Sequence, residues 1–145
     1  MIVVATEAEC REVQKQYRDE HIVVTGVGGL NVIQKLHKYN RRTAIINFGY
    51  VGSNVLPIGT MVNVGQCKLY HPNVEYQEPV YKLSGDVLCL TSNDFVLSTN
   101  IKDPVVFDME LAYILAMGFQ NVKSIKVVSD NLNLNEYKKV ETRND

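Results

Sequence analysis

The stretch VVFDMELAYILAMGFQNVKSIKVVSDNLN, residues 105–133, determines how the rest of the chain is interpreted. Residues 109–117 are apolar at almost every position, which predicts a helix buried in the core. Gly118 follows, and glycine is the residue that most often ends a helix. Residues 125–128 are rich in β-branched side chains and predict a short buried strand. We therefore expect an α/β fold.

Three carboxylates mark the ends of these two predicted elements. Asp108 and Glu110 begin the helix, and Asp130 follows the strand. Ligands of open α/β sheets bind outside the carboxyl ends of the strands, so we expect Asp130 and Glu110 to face one cleft. A structural interpretation remains open. In it Asp108 caps the helix, Glu110 complements the helix dipole, and Asp130 forms a turn.

The motifs around these acids resemble those of the nucleoside phosphorylase and nucleosidase family. FDMELA at residues 107–112 resembles the ribose-binding EMEGA or EMEAA segment, and KVVSDN at 126–131 resembles the RxISD segment. The resemblance implies that Asp130 protonates the leaving purine and that Glu110 binds the ribose hydroxyls. Met109 would pack under the sugar, and Ser129 would belong to the same site. The most similar members are the hydrolases that cleave methylthioadenosine and S-adenosylhomocysteine.

Glu9 has two possible roles. Residues 2–5 predict a buried strand, and Thr6 to Glu9 match a capping box that opens a helix running to about Asp19. In the resembled family, a carboxylate just after the first strand is the general base that activates water. Glu9 occupies that position, and Glu12, one turn further along, is the alternative candidate for this base. The capping role would explain Glu9 without catalysis, so both interpretations remain open.

Two glycine-containing segments resemble binding loops of the family. Gly28 lies in GVGG, residues 26–29, which resembles the turn beside the ribose; it lacks the third glycine of a dinucleotide fingerprint. Residues 49–52, GYVG, resemble the loop that follows the third strand. Phosphorylases hold phosphate with an Arg and a Ser where this chain has Asn47 and Tyr50. A phosphate dianion needs charge-assisted donors, so water is the expected nucleophile.

The segment SNDFV, residues 92–96, resembles the SGDxFV loop of the family. The resemblance implies that Phe95 stacks on the base and that the backbone of Val96 reads the purine edge. The alternative is that Phe95 is simply a core residue.

Composition limits the other possibilities. The 145 residues are 46% hydrophobic and 21% charged, as in a globular protein, and form one predicted domain, 1–145, with a frayed charged tail from about residue 138. The net charge of -1 favours neither nucleic acid nor an anionic membrane as a partner. Three cysteines without CxxC spacing indicate reduced thiols and a cytoplasmic location. No metal or other cofactor is expected, because no His/Cys cluster has ligand spacing.

The expected fold is a three-layer α/β/α arrangement around a central mixed sheet, phosphorylase/hydrolase-like but lacking some peripheral elements. The expected function is hydrolysis of the N-glycosidic bond of an adenine-type purine nucleoside. A phosphorylase and a catalytically silent nucleoside-binding or scaffold domain are the alternatives, the latter because segments of the resembled family are missing and Asn133 replaces a common Asp. The resemblance also implies a homo-oligomer, with a dimer favoured.

Overall fold

The computed structural model describes residues 1–72 and 78–142, which form eight strands and four helices. The strands are β1 (Ile2–Val4), β2 (Ile22–Val24), β3 (Ile45–Ser53), β4 (Met61–Leu69), β5 (Tyr81–Lys82), β6 (Val87–Thr91), β7 (Val105–Asp108) and β8 (Val122–Asp130). The helices are α1 (Glu7–Gln14), α2 (Gly29–Leu36), α3 (Leu111–Ala116) and α4 (Leu134–Glu141). Within the described ranges, no helix is long and apolar enough to cross a membrane.

Five strands close into a ring. β3 pairs with β7, β7 with β6, β6 with β4, β4 with β8, and β8 returns to pair with β3. The ring mixes parallel and antiparallel pairs, and the β3–β8 register shifts between Val51 and Gly52, a local irregularity of the kind that bends a strand. β1 and β2 extend the sheet in parallel from β3, and β5 pairs with β4. The predicted mixed sheet is confirmed, but a closed barrel takes the place of an open central layer.

Helices pack on both faces of β1, as the alternation of its side chains requires. Ile2 and Val4 form a buried cluster with Cys10 and Val13 of α1. Val3 points the other way, into a cluster with α2 and α3 that includes Val32, Leu36 and Ile114. The largest core cluster joins side chains from β3, β4, β6, β7 and β8 to Leu111 and Ala112 of α3. α3 is therefore a core helix, as predicted.

Several element boundaries differ from the predicted ones. β3 continues through residues 49–52, which were predicted as a loop, and Asp108 lies in β7 rather than in a helix. α1 ends at Gln14 instead of near Asp19, because residues 15–20 are polar apart from Tyr17 and offer no apolar face. Residues 138–141, predicted to fray, form the end of α4, whose start is capped by Asn133. The rest of the predicted tail, 143–145, lies outside the described residues.

Candidate active site

A cavity of about 280 Å³ opens where β1, β3, β7 and β8 reach their carboxyl ends, with α1 and α4 beside it. Seven of the nine residues predicted for the site line this cavity: Glu9, Tyr50, Phe95, Val96, Met109, Glu110 and Asp130. The other two, Gly28 and Ser129, are not in its wall. Each of them instead donates a hydrogen bond to a lining acid.

Asp130 ends β8 and has no solvent exposure. Both oxygens of its carboxylate are held. The Ser129 hydroxyl donates to Oδ1 at 2.8 Å, and the amides of Leu132 and Asn133 donate to Oδ2 at 3.0 and 3.3 Å. Burial raises the pKa of Asp130, while these hydrogen bonds act in the opposite direction. The side chain is thus fixed in orientation and shifted toward the protonated form.

Glu110 occupies the N-cap position of α3, but its side chain does not cap that helix. Its Oε2 accepts a 2.8 Å hydrogen bond from the amide of Gly28, whose φ of +93° favours glycine. The glycine turn that resembles the family's turn beside the ribose therefore holds the carboxylate of Glu110. Burial, followed by repulsion from Asp108 and Glu9, raises the pKa of Glu110 to about 8.

Glu9 both completes the capping box of α1 and lines the cavity. The capping box is present: Thr6 accepts from the amide of Glu9, and Oε1 of Glu9 accepts from the amides of Thr6 and Ala5 at 3.2 and 2.8 Å. Its Oε2 accepts from the amide of Tyr50 at 2.8 Å, and the side chain also lines the cavity. Burial raises the pKa of Glu9 to about 7.

Asp108 caps α3 from the end of β7. Its Oδ2 accepts from the amide of Leu111 at 2.7 Å, and its Oδ1 accepts from the hydroxyl of Thr91 at 2.5 Å. Asp108 was predicted as the N-cap residue; Glu110 has that position, and the side chain of Asp108 caps the helix from the end of the preceding strand. Asp108 also lines the cavity, where it adds negative charge close to Glu110.

Lys126 is a charged residue of the site that the sequence analysis did not identify. It is 1% exposed, lies 3.3 Å from Oδ2 of Asp108, and donates to Oδ1 of Asn47 at 2.7 Å. Burial opposes its charge, but the neighbouring acids, Asp108 foremost, hold the pKa of Lys126 above its usual range. A Cβ atom on Gly49 would lie 3.2 Å from both Nζ of Lys126 and Oε2 of Glu9. The glycine therefore lets this ammonium group and the carboxylate of Glu9 approach the same point.

The remaining wall of the cavity is apolar and aromatic. The ring of Phe95 packs against that of Tyr137 in α4, with centroids 5.4 Å apart and planes tilted by 57°. Leu132 and Leu134 also line the cavity. The sequence analysis missed Leu132, Leu134 and Tyr137 as residues of the cavity wall. Leu134 and Tyr137 are three residues apart on a helix, and this spacing is the signal that could have identified those two.

The fold is that of solved nucleosidases, whereas no family model and no curated protein matches the sequence. A 5′-methylthioadenosine/S-adenosyl homocysteine nucleosidase (MTAN) from Chlamydia trachomatis, bound to 5′-methylthioadenosine (MTA), superposes with a TM-score of 0.78 at 14% identity, over 97% of this chain and 88% of that one. The 5′-methylthioadenosine/S-adenosyl homocysteine nucleosidase of Helicobacter pylori gives 0.76 at 13% identity, over 97% and 90%. The S-adenosylhomocysteine nucleosidase of Streptococcus pyogenes gives 0.72 at 18% identity, over 95% and 87%. The predicted resemblance to the nucleoside phosphorylase and nucleosidase family is confirmed at the level of the fold.

Proposed function

From this shared fold, we propose that the protein hydrolyses the N-glycosidic bond of an adenine-type purine nucleoside, such as methylthioadenosine or S-adenosylhomocysteine. The observation that carries the proposal is that one cavity is lined by Asp130, Glu110, Glu9 and Phe95. Cleavage of this bond develops positive charge on the sugar and negative charge on the departing base. A buried acid and nearby carboxylates are the groups that such a transition state requires.

In the proposed mechanism, Asp130 donates its proton to N7 of the purine, so that the base leaves as a neutral molecule. The electrons of the glycosidic bond depart with the base. Phe95 stacks on the purine, and the backbone of Val96 hydrogen-bonds its edge. The raised pKa of Asp130 supports its role as the acid, since the group must hold a proton at the start of the reaction.

The sugar is assigned to Glu110 and Met109. In its ionised form, which a pKa of about 8 leaves partly populated at neutral pH, Glu110 accepts hydrogen bonds from the ribose hydroxyls and favours the positive charge that develops on the ring. Glu9 orients a water molecule and accepts its proton as the oxygen bonds to the anomeric carbon. Because the pKa of Glu9 is about 7, its deprotonated form is well populated near neutral pH.

The cavity supports water rather than phosphate as the nucleophile. Five acids line it: Glu9, Asp94, Asp108, Glu110 and Asp130. Among the described residues, no Lys, Arg or His lines the cavity. Asn47, at the position expected for a phosphate ligand, accepts from Lys126 and Ser124 and donates to the carbonyl of Val3. A phosphate dianion would meet negative charge here, and the nearby ammonium of Lys126 is buried and already bonded to Asp108 and Asn47.

The experiment is a screen for free base release from a panel of purine nucleosides, with and without inorganic phosphate. We expect adenine release that does not depend on phosphate. Release that requires phosphate would identify a phosphorylase instead. Binding of adenine by calorimetry, with no base released from any nucleoside, would favour a silent binding domain and contradict the proposal.

We also propose that two copies form a dimer through α2. Val27, Leu30 and Ile33 expose large apolar side chains on and just before this helix, and Val27 also lines the cavity. Exposed apolar patches of this kind are typical of interaction sites. Light scattering after size-exclusion chromatography should give twice the chain mass, and Leu30→Glu should give one chain mass. A monomeric wild type contradicts the dimer but not the hydrolase.

A further inference from the structure

Leu132 has an unusual backbone conformation beside the proposed acid. Its φ is +63°, and no other non-glycine residue in the described ranges has a positive φ. A leucine in the left-handed region is uncommon, because its Cβ crowds the following carbonyl oxygen. Such conformations cost free energy and persist only where the surrounding structure holds them, often at functional sites.

The conformation directs two groups of Leu132 at Asp130 and the cavity. The backbone amide donates to Oδ2 of Asp130 at 3.0 Å. The side chain lines the cavity and packs against the buried cluster of Leu90, Val105 and Phe107. The packing and the hydrogen bond are the interactions that offset the cost of the backbone conformation.

Gly52 leaves room for this arrangement. A Cβ atom there would lie 2.9 Å from Oδ2 of Asp130 and 3.0 Å from Cδ2 of Leu132. The carboxylate and the leucine methyl group therefore occupy adjoining space against the same backbone position. Asp130 has no solvent exposure in this state, although it lines a cavity.

We infer that Leu132 is a positioning residue that covers the Asp130 carboxyl and keeps it dry, so that the acid meets a substrate only from within the cavity. The role of Asp130 in proton donation rests on the proposed function, but its covering by Leu132 does not. The charged groups around it are Glu136 in α4 and, lining the same cavity, Glu9, Asp94, Asp108 and Glu110. Replacing Leu132 by an uncharged residue leaves all of these charges in place.

The test is Leu132→Gly, which accepts the positive φ without strain and removes the cover. The titration of the Asp130 carboxyl is followed by ¹³C NMR, with Asp130→Asn to assign the resonance. We expect its midpoint to fall by about one pH unit, a fraction of the shift that full burial can cause. Leu97→Gly is the matched control, because Leu97 is a loop leucine that is 64% exposed and outside the cavity wall. It should leave the midpoint unchanged.

Leu132→Ala is the second variant, because it removes most of the cover while keeping the strained backbone. It should melt at a lower temperature than Leu132→Gly yet shift the Asp130 midpoint in the same direction. An Asp130 midpoint equal to that of the wild type in both variants would overturn the inference. The titration needs no turnover, so it decides the matter even if the wild type releases no base. If base is released, the alkaline limb of kcat/KM should move to lower pH in Leu132→Gly.

Discussion

Lys126 carries a positive charge into the interior between β3 and β7. It pairs with Asp108 at 3.3 Å and bonds Asn47 at 2.7 Å, and burial leaves it almost no contact with solvent. Such a pair is costly to assemble, but removing one partner leaves the other charge buried and uncompensated. Lys126 therefore offsets the negative charge of the surrounding acids, Asp108 foremost.

Lys126→Met should lower the free energy of unfolding by about 3–5 kcal/mol, because it leaves the Asp108 carboxylate unpaired. Urea denaturation measures the loss. Lys123→Met is the matched control, since Lys123 lies in the same strand with its side chain exposed. A cost for Lys126→Met no larger than that of the control would mean that the ion pair contributes nothing to stability.

Asp130→Asn should lower the rate of base release by about 10²–10⁴-fold, the usual contribution of a general acid, and leave adenine binding largely intact. Release of adenine and calorimetric binding are the two measurements. Asp103→Asn, at an exposed position, serves as the control. Wild-type rates in Asp130→Asn would show that the assigned acid is wrong.

Asp130 and Glu110 could be predicted as neighbours because each stands at the end of an element. The rule that ligands bind at the carboxyl ends of strands then brings the two together. Lys126 could not be predicted, because its pairing depends on partners in β3 and β7 that are distant in sequence. In the sequence it is a single polar residue in an apolar strand.

At the scale of elements, the start of α1 combines a structural and a proposed catalytic role in Glu9. The amide oxygen of glutamine can complete the capping box, but its NH2 group cannot accept from the amide of Tyr50, so Glu9→Gln should lower the melting temperature modestly. Glutamine cannot accept a proton from water, so base release should fall by about 10²-fold or more. Circular dichroism melting and a base-release assay measure the two effects, and Glu12→Gln is the control. A lower melting temperature with unchanged turnover would mean that Glu9 is only a cap.

The second half of α4, from residue 138, was predicted to fray because the tail is highly charged. Two contacts explain why the helix forms. Asn133 accepts from the amide of Glu136 at 3.1 Å, and Tyr137 packs on Phe95 across the cavity. The replacement of a common Asp by Asn133 raised doubt about activity in the sequence, but in the structure Asn133 is a helix cap. Capping is visible in a sequence, whereas the contact with Phe95 depends on the tertiary fold.

At the scale of the whole molecule, the clustered acids make stability depend on pH. Glu9 and Glu110 titrate at about 7 and 8 in the fold, above their ordinary value of 4.5. Between pH 4.5 and about pH 8, the folded state therefore binds more protons than the unfolded state. It follows that the free energy of unfolding falls as pH rises from about 5 to about 8.

Melting temperatures measured across this pH range should fall steadily, and Glu110→Gln should flatten the decline. Glu20→Gln, at an exposed position, should not change the slope. A wild-type melting temperature that rises over the same range would contradict the assignment of buried, partly protonated acids. Because only unfolding is followed, the result does not depend on any activity.

The mixed α/β class followed from the order of apolar segments, but the barrel did not. The sequence predicts a strand at residues 125–128, within β8, but not which strands pair with it. β8 pairs with β3 along most of its length and with β4 through Ile125, Lys126 and Val127. These two pairings close the ring, and both join segments that are distant in the sequence.

The position of β8 between β3 and β4 also affects how the chain folds while it is being synthesised. Both neighbours leave the ribosome well before β8 does, with backbone groups that have no partner until the final barrel strand arrives. Such edges are prone to wrong pairing while synthesis continues. A nascent chain stalled before residue 122 should therefore be protease-sensitive and bound by chaperones, and it should become resistant only after β8 has emerged from the exit tunnel.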